Sequence, residues 1–350
     1  RQSAPGDRIQ ERPARFVSRR GSRSYRNRHV MAHQKASALP DRRLEFLVDA
    51  MEKVVAEDVG SRGINGLFEA ARGGLQRAAQ ALRAARRVLI VTGFYVPFGA
   101  PETDGPPGAA ALAAGLSALG IGVDVATDPV CAPVVAPMVE YLQRTGHTGV
   151  QLVTFPGPAP PSYLLPAEPR DAVRVYEAQL CEPDAMQRYV DDFLGGGSRY
   201  SHVVSIERPG AAADGSYYSM SGTNLSDHVG PLDVVFSRAR VLGAFTVGIG
   251  DGGNEIGMGN VADTVADSVP QGRTIACVTR CDALVCCGVS NWGGYALAAA
   301  IGALERRSAC LWQWQYDCEL MHALVGAGAV DGRTGQSTTE TVDGVSCEEL

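Results

Sequence analysis

The sequence of 350 residues has little histidine and no long apolar run. Its six histidines lie outside the polar loops described below, which disfavours a histidine-based catalytic triad or a histidine-rich zinc site. No stretch contains the ~20 consecutive apolar residues that a membrane-spanning helix needs, and no secretory signal is recognisable. We therefore expect a protein that is neither secreted nor inserted into a membrane.

Nucleotide-binding and paired-cysteine motifs are also missing. The glycine-rich segments carry neither a Walker A lysine nor a complete dinucleotide-binding fingerprint, so we expect no nucleotide cofactor. Four of the nine cysteines lie close together in apolar, strand-like segments, without the paired C-x-x-C spacing of a zinc site. We interpret them as small buried residues; they are Cys277, Cys281, Cys286 and Cys287.

The net charge of -6 conceals an uneven distribution. Residues 1–30 contain nine arginines and two acidic residues, and the other 23 basic and 36 acidic residues give the rest of the chain a net charge of -13. So acidic a body is poorly suited to nucleic acids, whose phosphates require basic contacts. The arginine- and serine-rich composition predicts a disordered or targeting-like extension over residues 1–38, in a protein of the cytoplasm or the mitochondrial matrix.

Apolar strand-like runs alternate with helical patterns over residues 39–350. The run RVLIVTGF at Arg87–Phe94, the helical pattern that begins near Pro106 and the returning run GVDVAT form a strand–helix–strand unit. Three similar runs follow, at His202–Ile206, Phe245–Ile249 and Ala283–Gly288. The pattern predicts one α/β domain with a mostly parallel sheet and flanking helices, and a possible subdivision at the proline-rich residues 156–170.

Polar, glycine-rich loops follow the predicted strands. In open α/β sheets, ligands bind outside the carboxyl ends of the strands, so we expect these loops to converge on one pocket. The most distinctive loop is GIGDGGNEIGMG at Gly248–Gly259, where Asp251, Asn254 and Glu255 lie among glycines that permit close backbone approach. We interpret it as a metal or ammonium site with backbone N–H donors nearby; a glycine-rich turn with a capping aspartate is the alternative.

Two further loops offer charged side chains. Asp104 in ETDGPPGA follows the first predicted strand and could instead cap a turn or a helix. Glu207 and Arg208 open the loop ERPGAAADGSYYSM, which also contains Asp214 and Tyr217. An arginine at a strand end can bind a carboxylate with two hydrogen bonds, although Glu207 and Arg208 could instead form a local ion pair of little energetic weight.

The segment SNWGG at Ser290–Gly294 places Asn291 between a strand and a helix. Gly293 and Gly294 would expose backbone N–H groups to an anion at the start of that helix, and simple packing is the alternative. The acidic loops favour a hard ion such as Mg²⁺ or Mn²⁺ over zinc. The predicted metal ligands are Asp104, Glu207, Asp251 and Glu255.

Five segments together resemble the D-glutamate cyclase family and occur in the order found there. They are Thr92–Phe94, Glu102–Ala109, Glu207–Met220, Gly248–Gly259 and Gly288–Leu297. The resemblance implies a hydro-lyase that closes D-glutamate to 5-oxo-D-proline with loss of water. One departure is Ala211, because the family usually has arginine there. Another is the end of the chain, which comes soon after Thr339–Gly344, a segment similar to a C-terminal motif of the family.

The loops and the resemblance define one candidate active site for a small acidic amino acid. The catalytic candidates are Asp104, Glu207, Asp251 and Glu255. The substrate-binding candidates are Thr92, Gly93, Arg208, Asp214, Tyr217, Asn254, Asn291, Gly293 and Gly294. A divalent ion would neutralise the γ-carboxylate and one free carboxylate would act as base. Because fold alone does not fix function, a Mg²⁺- or Mn²⁺-dependent phosphohydrolase and a non-catalytic protein that binds acidic amino acids are the alternatives.

Overall fold

The structure, a computed structural model, describes residues 42–160, 183–197 and 199–346. These residues belong to one compact unit, Pro40–Leu350. The predicted extension over residues 1–38 lies outside the described part, as do residues 161–170 of the predicted subdivision, so both stay predictions. In the part that the structure describes, no helix combines the length and the apolar character needed to cross a membrane.

Helices and short strands alternate along the described chain. Its helices are α1 (Arg42–Val55), α2 (Ile64–Ala71), α3 (Gly74–Leu82), α4 (Pro106–Ala118), α5 (Ala132–Arg144), α6 (Pro183–Leu194), α7 (Leu232–Val241), α8 (Ala262–Ser268), α9 (Gly272–Ile275), α10 (Ser290–Glu305) and α11 (Trp314–Gly326). Its strands are β1 (Arg87–Thr92), β2 (Tyr95–Val96), β3 (Ala100–Pro101), β4 (Gly122–Thr127), β5 (Gln151–Thr154), β6 (His202–Ile206), β7 (Phe245–Gly250), β8 (Ala283–Cys286), β9 (Thr341–Val342) and β10 (Val345–Ser346).

Six strands form one parallel sheet in the order β5-β4-β1-β6-β7-β8. The predicted α/β fold is therefore confirmed, and the central sheet is parallel throughout. Strand β1 lies inside the sheet because the chain first adds β4 and β5 on one side and then returns to add β6, β7 and β8 on the other. Such a reversal opens a crevice at the carboxyl ends of the two strands that flank it, here β1 and β6.

Helices cover both faces of the sheet, so the strands are buried on both sides. Along β1, Val88 and Ile90 belong to one apolar cluster, whereas Leu89 and Val91 belong to the other, as the two-residue period of a strand requires. Helices α1, α3, α4, α5, α10 and α11 contribute to the first cluster, and α2, α6, α7, α8 and α9 to the second. This double burial explains the continuous apolar runs in the sequence.

Close contact between α4 and α10 fixes one wall of the crevice. A Cβ atom on Gly294 would lie 2.4 Å from the carbonyl oxygen of Gly108, so only glycine permits this approach. Asn291 strengthens the contact, because its Oδ1 accepts hydrogen bonds from the backbone N–H groups of Gly105 and Gly108, both at 2.9 Å. The start of α10 is thereby held against the loop that carries Asp104.

The clustered cysteines lie in the core rather than at the crevice. All four are buried free thiols, as their apolar sequence context predicts: Cys277, Cys281, Cys286 and Cys287. Burial raises the pKa of each thiol. Because the thiolate is the reactive form, none of these cysteines is a ready nucleophile.

Candidate active site

A cavity of about 380 Å³ opens at the carboxyl ends of the central strands. Its ionisable and amide side chains come from strand-end loops and from two segments outside the sheet; they are Arg62, Glu102, Asp104, Glu207, Asp251, Asn254, Arg333 and Asp343. Its larger apolar side chains are Phe94, Val96, Phe98 and Met220. A volume of this size suits a small molecule.

Asp104 lies at the start of α10, where backbone N–H groups are free to bind a carboxylate. Its two oxygens accept hydrogen bonds from the backbone N–H groups of Ser290, at 2.9 Å, and Asn291, at 2.8 Å. These donors favour the ionised form. Burial and the neighbouring Asp343 carboxylate nevertheless raise the pKa of Asp104 to about 7. Asp104 can therefore exchange a proton near neutral pH.

Glu207 follows β6 directly and faces the cavity with a strained backbone. Its φ of +41° lies in the left-handed region, which residues other than glycine rarely adopt. Its Oε2 accepts a hydrogen bond from the hydroxyl of Ser290 at 2.5 Å. Burial, together with the carboxylates of Asp251 and Glu255, raises the pKa of Glu207 well above its usual range. These surroundings favour the protonated form of Glu207.

The glycine-rich loop after β7 wraps around the Glu255 carboxylate. That carboxylate accepts hydrogen bonds from the backbone N–H groups of Asp251, Gly252 and Gly253, at 3.0, 2.6 and 2.7 Å. Gly253 has a φ of +105°, which only glycine adopts readily. Glu255 therefore shapes the loop, whereas Asp251 lines the cavity. Burial raises the pKa of Asp251 well above its usual range, although the Arg62 guanidinium acts in the opposite direction.

Arg62, which the sequence did not identify as a site residue, reaches the cavity from the turn between α1 and α2. Asp58 holds this turn by accepting hydrogen bonds from the backbone N–H groups of Arg62 and Gly63, at 2.8 and 2.9 Å. The Arg62 guanidinium donates to the carboxylates of Asp251 and Asp343, the latter at 2.7 Å. The only sequence signal is a lone arginine in a glycine-rich break between two helical patterns.

Asp343 was also missed, and it reaches the cavity from the turn between β9 and β10. Asp343 and Gly344 have φ values of +54° and +83°, as a two-residue hairpin turn with two left-handed positions requires. Asp331 fixes the hairpin by accepting hydrogen bonds from the Thr341 hydroxyl at 2.6 Å and the Gly344 N–H at 2.7 Å. The Asp-Gly pair signals a hairpin, but not a contact with Arg62, 281 positions away.

Two groups of three carboxylates meet in this region and share Asp251. One group contains Asp104, Asp251 and Asp343, and the other contains Glu207, Asp251 and Glu255. In each group, one oxygen from each residue lies within 4.8 Å of the others. The structure thus places each of the four predicted metal ligands in one of two groups that share Asp251, and it adds Asp343 to the first group. Donor sets made only of oxygen suit Mg²⁺ or Mn²⁺.

Arg208, predicted to bind a substrate carboxylate, does not line the cavity. Its guanidinium donates to the Asp128 carboxylate at 2.5 Å and to the carbonyl oxygens of Gly93, at 2.8 Å, and Gly230, at 2.7 Å. The side chain is fully buried, so it ties together the loops that follow three strands. The sequence shows an arginine at a strand end, but it does not reveal this buried carboxylate partner 80 positions away.

Among the other substrate-binding candidates, Asn254 lines the cavity. Its Nδ2 donates to the carbonyl oxygen of Tyr218 at 2.7 Å, while its buried Oδ1 has no partner among the described residues. Tyr217 and Asp214 do not line the cavity. The Tyr217 hydroxyl donates to Asp233 at 2.5 Å, and the exposed Asp214 accepts a hydrogen bond from the Tyr218 hydroxyl at 2.6 Å.

The remaining candidates do not line the cavity; they are Thr92, Gly93, Asn291, Gly293 and Gly294. Their surroundings are tightly packed, and a Cβ atom on Gly293 would lie 2.4 Å from the Ile249 side chain. Ala211 is likewise absent from the cavity lining; it is partly buried against an apolar cluster that includes Phe94 and Tyr217.

The sequence matches known proteins over most of its length. Residues 51–350 match the family described as "D-glutamate cyclase-like, C-terminal". The human protein named "D-glutamate cyclase, mitochondrial" is 35% identical over 305 residues, which cover 85% of this chain and 44% of that protein. The chain therefore spans less than half the length of this relative.

Proposed function

Because the chain belongs to the D-glutamate cyclase-like C-terminal family, we propose that it is a hydro-lyase that closes D-glutamate to 5-oxo-D-proline. One observation carries the proposal: buried carboxylates surround the guanidinium of Arg62 in a small cavity. This arrangement suits a substrate that carries one ammonium and two carboxylates. The reaction occurs within one molecule, so correct orientation of the reacting groups supplies much of the rate. The preference for the D isomer rests on the family alone.

The reaction requires two proton transfers from nitrogen to oxygen. A C–N bond forms between the α-nitrogen and the γ-carboxyl carbon, and a C–O bond of that carboxyl breaks. The ammonium group loses two protons, and the leaving oxygen gains both and departs as water. A site for this chemistry therefore needs one group that accepts a proton and another that donates one.

Asp251 and Glu207 are suited to these two roles. Burial raises the pKa of Asp251, so it is a stronger base than an ordinary carboxylate, while Arg62 favours its ionised form. Glu207, whose pKa burial raises well above its usual range, supplies a proton to oxygen. After the first transfer the roles reverse: Glu207 accepts the second proton from nitrogen, and Asp251 delivers its proton to the leaving oxygen. Both carboxyls then return to their starting forms.

Asn254 is placed to bind the ammonium group. Its Oδ1 is buried in the cavity lining and has no hydrogen-bond partner in the described part of the chain. A buried acceptor without a partner costs about 1–3 kcal/mol, and a donor supplied by a ligand would remove this cost. The substrate ammonium, bound next to Asp251, is such a donor.

The proposal includes a divalent ion, Mg²⁺ or Mn²⁺, which would be held by oxygens of Asp104, Glu207, Asp251 or Glu255 that are ionised and are not transferring a proton. The all-oxygen donor set fits either ion, and among the described residues neither Glu207 nor Glu255 forms an ion pair with a basic side chain. When bound, the ion would neutralise the γ-carboxylate and make its carbon more electrophilic.

The direct test is turnover of glutamate by the purified protein. We would incubate it with D- or L-glutamate in the presence of Mn²⁺, Mg²⁺ or EDTA, and follow 5-oxoproline by NMR. We expect product from the D isomer, at a rate that the ion increases and EDTA decreases. A folded protein that yields no product overturns the proposal. Hydrolysis of phosphate esters would then indicate a phosphohydrolase, and D-glutamate binding without turnover an amino-acid-binding protein.

The proposed site of action is the cytoplasm or the mitochondrial matrix. The name of the human relative places that protein in mitochondria. Fractionation of cells that express the tagged protein, with D-glutamate turnover measured in each fraction, would locate the activity. Recovery from the culture medium would contradict the proposal.

A further inference from the structure

We infer that Arg62 binds the α-carboxylate of the substrate and thereby selects an α-amino acid. This inference rests on the proposed function and assigns the carboxylate-binding role to a different arginine from the one that the sequence indicates. The site has to hold the amine and the γ-carboxyl in reacting geometry, and an anchored α-carboxylate fixes the carbon that carries the amine.

The Arg62 guanidinium is held firmly and has donors that the described residues do not use. It lines the cavity, and its side chain is 19% exposed. One Nη atom donates to Asp251 and the other to Asp343, while Asp58 fixes the backbone of the turn. Of the five N–H donors of a guanidinium, these contacts use two, and the described residues supply no recorded partner for the other three. Such a preorganised group suits a carboxylate.

Two other arginines are less suitable. Arg208 is fully buried and its donors bind Asp128 and two backbone carbonyl oxygens. Arg333 also lines the cavity, but it is exposed, and its guanidinium donates to the carbonyl oxygen of Val59 at a long 3.5 Å. Of the two arginines that line the cavity, Arg62 is therefore the one that two carboxylates hold in position.

Direct contact between Arg62 and Asp251 matches the charges of an α-amino acid. An α-amino acid carries its carboxylate and its ammonium on the same carbon, so a guanidinium and a carboxylate side by side are complementary to it. The γ-carboxyl is a poorer partner for Arg62, because its leaving oxygen needs a proton and a guanidinium does not give up protons in proteins. The α-carboxylate needs only to be held.

The test compares two substrates with three variants. D-glutamate and D-isoglutamine differ only at the α-carboxylate, which is a neutral amide in the second molecule. We expect Arg62→Gln to lower kcat/KM for D-glutamate by about 100-fold, because the buried α-carboxylate of the substrate then lacks its cationic partner. The same variant should lower kcat/KM for D-isoglutamine by much less, because that substrate is affected only through the contact of Arg62 with Asp251, and Arg62→Lys should recover part of the loss with D-glutamate.

Arg87→Gln is the matched control, because Arg87 pairs with the buried Asp124 at the opposite end of the sheet. Arg87→Gln should leave kcat/KM unchanged for both D-glutamate and D-isoglutamine. Circular dichroism would establish that each variant is folded. Equal losses of Arg62→Gln with both substrates, or no loss with D-glutamate, overturn the inference.

Calorimetric titration with D-glutamate separates this inference from the proposed function, because it requires no turnover. If the wild type binds D-glutamate without product and Arg62→Gln binds it far more weakly, the proposed function fails while the role of Arg62 stands. If the wild type neither binds nor turns over D-glutamate, both fail. If Arg62→Gln does not fold, Arg62→Lys decides: unchanged affinity and unchanged KM overturn the inference.

Discussion

At the scale of single residues, Asp251 connects the charges of the site. It belongs to both clusters of three carboxylates and accepts a hydrogen bond from the Arg62 guanidinium. The change Asp251→Asn preserves its shape and removes its charge and basicity. We expect kcat for D-glutamate to fall by about 100- to 10,000-fold, which is the usual contribution of a general acid–base group to the rate. Asp267→Asn is the control, because Asp267 is exposed and pairs with an exposed arginine. Equal turnover by both variants would remove Asp251 from the mechanism.

Arg208 and Asp128 form a buried ion pair whose loss should affect stability rather than substrate binding. The change Arg208→Met leaves the Asp128 carboxylate buried without its cation. Breaking such a pair costs about 3–5 kcal/mol, so we expect a much lower midpoint of urea denaturation and a KM for D-glutamate close to that of the wild type. An unchanged midpoint with a raised KM would instead favour direct substrate contact, as the sequence predicts.

At the scale of secondary structure, the hairpin β9–β10 places Asp343 in the lining of the cavity. Asp331 holds it through hydrogen bonds to Thr341 and Gly344. Asp331→Asn weakens these hydrogen bonds to the hairpin, so we expect KM for D-glutamate to rise about tenfold. This change corresponds to the free energy of one or two hydrogen bonds. Steady-state kinetics and faster amide exchange at residues 341–346 would check this. Glu340→Gln, which alters a contact with the exposed His322, should change neither measurement.

The elements also show which part of the site a pattern can predict. Glu207, Asp251 and Asn254 follow strands of a parallel sheet, Asp104 lies in the connection between β1 and α4, and the carboxyl ends of parallel strands meet at one edge. Their convergence therefore follows from the order of strands and loops. A residue that reaches the same edge from a helical turn or a distant hairpin has no such signal.

At the scale of the whole molecule, buried carboxyls make the stability of the metal-free protein depend on pH. Burial raises the pKa of Asp104 to about 7, from about 4 in an unfolded chain, and raises those of Glu207 and Glu102 as well. The folded state thus binds protons more tightly than the unfolded state. The resulting stability is complete below about pH 4 and is lost as the pH rises through about 7.

We therefore expect the urea midpoint in EDTA to fall between pH 5 and pH 8, with a smaller decrease for Asp104→Asn, which cannot ionise. A midpoint that rises over this interval would contradict the raised pKa values. Addition of Mn²⁺ should increase the midpoint more at pH 8 than at pH 5, because protons compete with the ion for the same oxygens.

The sequence by itself determined the parallel sheet, its polar edge and most of the carboxylates there, because apolar periodicity and strand-end loops are local patterns. The tertiary structure decided that Arg62, and not Arg208, lines the cavity. Arg208 donates a hydrogen bond to the buried Asp128, whereas Arg62 donates hydrogen bonds to Asp251 and Asp343. These pairs join residues from 80 to 281 positions apart, and their partners are fixed only when helices and hairpin pack around the sheet.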